Sequence, residues 1–159
     1  MTKQFTFSVR CIVFDNVGLP NEVAKALGAQ NCAFTGWTAL AIHAGSKLMI
    51  PYHPKYLEIA CPDLSNAVNT AKELGLRIWF GKRWITLGWS YEKTKIALGE
   101  IRLFKEEITA ERHICGLGVS LIEDAINHII KFREHIRDLK LLNEYSNGKI
   151  IINITSINR

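Results

Sequence analysis

The run DLSNAVNTAKELGLRIWFGKRWITLGW, residues 63–89, places the two periodicities of secondary structure back to back. In its first half Leu64, Ala67, Val68, Ala71 and Leu74 recur at three- and four-residue spacing, which predicts a helix over 63–74 with Gly75 as its stop. The second half alternates instead. Arg77-Ile78-Trp79-Phe80 and the segment 84–89 read as two strands around Gly81-Lys82-Arg83, a glycine-containing loop short enough to close a hairpin. A helix running straight into a hairpin predicts an α+β fold with a mainly antiparallel sheet.

Upstream, Phe5, Phe7, Val9, Cys11 and Val13 share one face of an alternating stretch whose other face turns apolar at Ile12 and Phe14. That pattern predicts a strand over 5–15, central in the sheet. Asn16 to Pro20 reads as a turn, and Pro20 suits the start of a helix reaching Leu27 and stopped by Gly28. Segments 32–43 and 47–60 read as strands joined near Ala44-Gly45-Ser46, the second interrupted by Pro51 and Pro54.

Downstream, 95–104 reads as a further strand, with Glu106, Glu107 and Glu111 pointing to a helical stretch beyond it. A long helix is predicted over 119–143, with Ser120 and Glu123 as a capping box. Its apolar stripe is Ile122, Ala125, Ile126, Ile129, Phe132, Ile136 and Leu139. Asn147-Gly148 then turns the chain into a last strand over 149–157. The first six elements follow β-α-β-β-α-β, so the chain resembles the ferredoxin-like split βαβ unit in element order, extended by further strands and the long C-terminal helix. Helices 63–74 and 119–143 are expected on one face of that sheet. No repeat or linker divides the chain, so one domain over 1–159 is expected. The element order hosts binders and enzymes alike and does not select a function.

Composition narrows the class. At 48% hydrophobic and 22% charged residues, the 159-residue chain is ordinary for a globular protein. It lacks an apolar run long enough to span a bilayer and an N-terminal apolar signal segment, so no membrane association is expected. Cys11, Cys32, Cys61 and Cys115 form no CxxC pair and read as reduced, mostly buried thiols of a cytoplasmic protein. The faces of the interrupted strand and of the last strand permit a homodimer.

Charge points to the hairpin. Of the net +5, most falls between residues 76 and 95, where Arg77, Lys82, Arg83, Lys93 and Lys95 stand against Glu92 alone. Interleaved with them are Trp79 and Trp84, expected to be exposed, and Trp89, expected to be buried with Ile85 and Leu87. Ile78 and Phe80 are expected in the core. Indole faces stack on unpaired bases and cations neutralise phosphates, so the expected function is a non-enzymatic nucleic-acid-binding module, with single strands or RNA preferred. The same residues fit tryptophans that cap a core beside charges that keep an edge hairpin soluble. They also fit an interaction or inhibitor module for an acidic protein partner.

Other constellations are thinner. Lys131, Arg133, Arg137 and Lys140 are mixed with Glu134 and Asp138, as on a solvated helix face. Cys115 with Gly116-Leu117-Gly118 before the long helix suggests a small enzyme or ligand-binding regulatory domain, through an acidified thiol or an anion cradle. His43, His53, Cys61, His113 and Cys115 have no metal-site spacing, so neither metal nor cofactor is expected. Asp15 with Glu58 or Asp63 would suit a nuclease, but nothing in the spacing favours that set.

Overall fold

The computed structural model describes residues 10–14, 17–44, 56–90 and 97–132. Its organising strand is β4 (Leu57–Cys61), five consecutive buried residues of which only Glu58 is polar. A strand buried on both faces loses its alternation, and this one lies mid-sheet. On one side it pairs in parallel with β7 (Ala97–Lys105), and on the other antiparallel with β3 (Ala33–Phe34). Beyond β7 come β6 (Ile85–Ser90) and β5 (Arg77–Phe80), the expected hairpin. Beyond β3 come β9 (Leu117–Ser120), parallel to it, and β8 (Ala110–Ile114), antiparallel to β9.

The resulting seven-strand order, β5-β6-β7-β4-β3-β9-β8, is mixed. The fold is broadly α+β as expected, but the mainly antiparallel ferredoxin-like sheet is corrected by the parallel β4–β7 and β3–β9 pairs. Strand β1 (Arg10–Phe14) is not central. Among the described residues it pairs with β2 (Val17–Pro20) alone, in a separate two-stranded sheet.

Register assigns each strand residue to a face. Leu57 and Ile59 align with Ile101 and Leu103, and Ile59 aligns with Phe34, which aligns with Val119; all six are fully buried. This side lies under α1 (Asn21–Gly28) and α3 (Leu64–Glu73), which pack on each other. The opposite side carries Glu58 and Ala60 beside Arg102 and Phe104. It lies under α2 (Gly36–Ala44) and α4 (Ile122–Phe132), whose His128 and Phe132 rings meet Phe104. Helices α3 and α4 therefore sit on opposite faces, not on one as expected. Among the described residues no helix is long and apolar enough to cross a membrane.

Two segments were misjudged for a physical reason. Residues 32–43 read as a strand, yet only Ala33–Phe34 is extended, and Gly36, at φ +56°, turns the chain into α2. Trp37, Thr38, Ala39 and Leu40 are all buried, so α2 shows no polar stripe to betray its period. The long helix was drawn too early. Val119 and Ser120 belong to β9, the Ser120 hydroxyl has no hydrogen-bond partner, and the capping box is not made.

The glutamates before it lead into strand β8, not a helix. Cys115 and Gly116, at φ 61° and 85°, form a two-residue hairpin turn between β8 and β9. Gly116 to Gly118 is thus turn and strand, not a loop before a helix. The segments 5–9, 47–55 and 133–157 of the expected strands and helix lie outside the described residues.

Candidate functional site

Glu58 is a fully buried carboxylate in the middle of the sheet. Three backbone-level contacts fix its neighbourhood. The Trp37 N–H donates to Glu58 Oε2 at 2.6 Å, the Glu58 N–H donates to Thr38 Oγ1 at 2.9 Å, and the Thr35 N–H donates to the Glu58 carbonyl at 3.0 Å. The carboxylate thus satisfies an otherwise orphaned amide at the positive end of α2. The other oxygen, Oε1, is buried with no hydrogen-bond partner.

Gly36 makes this approach possible. A Cβ there would lie 2.2 Å from Glu58 Oε2 and 2.9 Å from His128 Cδ2, so both side chains crowd one point above the glycine. His128, on α4, is buried edge-on against Phe104, with centroids 4.3 Å apart and planes at 87°. Its Nδ1 donates to Glu106 Oε1, since a carboxylate only accepts. Its Nε2 is buried without a partner. Glu58 and His128 therefore meet at the N-terminus of α2, and Glu106 contacts the far nitrogen of the imidazole.

Arg102 stands beside Glu58 in the β4–β7 register. Its guanidinium lies 3.6 Å from the Tyr56 ring centroid and 4.4 Å from that of Trp84, and its Nε is 3.7 Å from Glu100 Oε1. The pair of rings holds a permanent cation one strand away from the buried carboxylate.

The hairpin residues separate into groups. Trp79 is 50% exposed and aligns through Thr86 with Arg102, on the Glu58 side of the sheet; Arg77 is exposed there too. Lys82 and Arg83 are exposed in the loop, while Trp84 is half-buried against Phe104 at 5.7 Å. Lys93 and Lys95 lie outside the described residues, as does the Trp89 side chain. Phe80, expected in the core, is 70% exposed at the end of β5, an edge strand.

Of the expected metal-type side chains, His43 donates to the Ser120 carbonyl at 2.7 Å, and among the described residues no three acidic, His or Cys groups gather as an ion site. Cys32 and Cys61 are free and buried, but Cys115 is disulfide-bonded, which corrects the reading of it as a reduced thiol. The sequence pattern singles out neither Gly36 nor His128, and it marks Glu106 only as part of an expected helical stretch. The one available signal was Glu58 itself, a lone acid inside an apolar strand.

No protein-family model matches the chain, and no curated protein matches it in sequence. Solved structures do match in fold. A candidate nucleotidyltransferase from Helicobacter pylori superposes with a TM-score of 0.50 at 17% identity, over 69% of this chain and 53% of that one. JHP933, also from Helicobacter pylori, gives 0.52 at 16% identity, over 80% and 63%. MenT4, a nucleotidyltransferase toxin of Mycobacterium tuberculosis, superposes more loosely, at 0.47 and 14% identity over 86% and 59%, too loosely to argue from.

The chain spans 53% and 63% of the length of the first two. Its mixed sheet resembles nucleotidyltransferase folds. That finding corrects the expectation of a non-enzymatic nucleic-acid-binding module.

Nucleotidyl transfer by polymerases employs two divalent ions clamped between carboxylates. The donors described here do not fit such a pair. Glu58 is a single strand carboxylate, the next position on its face is Ala60, and Glu106 is engaged by His128. No step below is routed through an ion.

Proposed function

We propose that this chain is the core of a nucleotidyltransferase, moving a nucleoside monophosphate from a nucleoside triphosphate onto an acceptor hydroxyl beside Glu58. The observation that carries this reading is the buried Glu58 carboxylate at the N-terminus of α2, in a sheet whose fold resembles nucleotidyltransferases. Arg102 meets the negative phosphates, and its two flanking rings keep the guanidinium from collapsing onto Glu58. Trp79, half exposed on that side, offers a flat apolar face to a base. Arg77 and Trp79 on that side, with Lys82 and Arg83 in the adjoining loop, would supply a cationic and aromatic rim for the triphosphate or its acceptor.

The test is pyrophosphate release from each of the four nucleoside triphosphates in the presence of an acceptor mixture. Glu58→Gln keeps shape and removes charge, and lowers release by about 100-fold or more, the scale of losing a group that acts in the transition state. Unchanged release from a folded Glu58→Gln protein removes the reading.

A further inference from the structure

Two buried polar atoms, Glu58 Oε1 and His128 Nε2, have no hydrogen-bond partner, and their side chains both approach Gly36. Glu58 Oε1 can only accept as a carboxylate oxygen, and with Nδ1 turned to the Glu106 carboxylate, Nε2 is the ring nitrogen left to exchange a proton. Unsatisfied buried polar atoms are rare in folded proteins, because each gives up its water without a replacement partner. Two unpartnered atoms on side chains that meet at one glycine call for a polar partner, and an O–H group, which both donates and accepts, is the simplest that fits.

We propose that His128, oriented by Glu106, is the general base that takes the proton from the acceptor hydroxyl. The inference rests on the nucleotidyl-transfer reading above and assigns a catalytic residue to it. The hydroxyl proton passes to His128 Nε2 as the oxygen forms its bond to the α-phosphorus. The bond from that phosphorus to the bridging oxygen breaks, and pyrophosphate leaves with the electron pair. Glu106 stabilises the imidazolium so formed, through the Nδ1–H contact.

The arrangement supplies what Ala60 withholds. With no second carboxylate on the strand, the proton needs another destination, and an imidazole backed by a carboxylate is suited to it. The charged groups facing His128 are Glu106, just after β7, and Glu58 on β4. On α2 the titratable His43 is bound to the Ser120 carbonyl, and on α4 itself Lys131 lies over Phe132.

The experiment is chemical rescue of His128→Ala, which leaves a ring-sized space. The variant loses about 100-fold or more in kcat with little change in KM for the triphosphate. Added imidazole restores the rate, while pyrazole, of the same shape but hardly basic, does not. Equal rescue by both, or rescue by neither in a folded variant, overturns the base and leaves the parent reading standing.

Absence of any transfer by the unaltered protein takes down both. Should the variant not fold, the ring nitrogens of His128 in the unaltered protein decide by ¹⁵N NMR. An Nδ1–H tautomer supports the assignment and an Nε2–H tautomer overturns it.

Discussion

Gly36 combines a left-handed backbone with a missing Cβ against a carboxylate, and the two demands can be told apart by comparison with Gly116. Gly116 also has positive φ, but nothing lies within 4 Å of its absent Cβ. Gly116→Ala therefore costs about 1–2 kcal/mol, the left-handed penalty alone. Gly36→Ala adds displacement of Glu58 from the Trp37 amide, a charge-assisted bond, for a total of about 3–5 kcal/mol. Urea titration of the two variants checks the gap.

A different residue sets an alkaline limit. The Cys61 thiol is pushed far above the ordinary value of 9.0, first by its hydrogen bond with Cys32 and then by burial. A raised folded pKa contributes stability that is whole below the unfolded thiol value and lost as pH rises above it. Cys61→Ala should therefore flatten the decline of the melting temperature between about pH 8 and pH 10 relative to the parent chain.

At the scale of elements, α3 and the β5–β6 hairpin were legible because each carries its own signals. Leu64, Ala67 and Ala71 keep helical spacing, and Asp63 Oδ1 accepts the Asn66 N–H at 3.1 Å as a cap. Asp63→Ala should lower stability by about 1 kcal/mol without touching transfer, read as a melting shift beside unchanged pyrophosphate release. Helix α2 was not legible, since an element enclosed on every side presents neither stripe nor alternation. The β8–β9 hairpin was missed because its turn uses Cys115 at positive φ before Gly116, a position where a non-glycine gives little warning.

The candidate site was less legible than the fold for a related reason. Glu58, Glu106 and His128 lie 22 to 70 positions apart in the chain, and only the parallel pairing of β4 with β7 and the packing of α4 on α2 unite them. No local spacing encodes that. The hairpin drew attention because its aromatic and basic residues are adjacent in sequence, and the structure places Trp79 and Trp84 on the Glu58 side of the sheet.

Over the whole molecule, the mixed sheet divides two kinds of surface. The apolar core draws on helices of both sides, while among the described residues the α2–α4 side alone adds a buried acid, the imidazole and the stacked arginine. A sheet built only for stability has no need of orphaned polar atoms at its centre. That asymmetry, in a fold resembling nucleotidyltransferases, is the basis of the central claim.

The most direct test follows the phosphorus. The protein is incubated with an acceptor mixture and nucleoside triphosphate labelled at either the α or the γ phosphorus. The account predicts label on the acceptor from the α position and none from the γ position. Label transferred from the γ position, or no transfer from the α position with any of the four nucleotides, would contradict it.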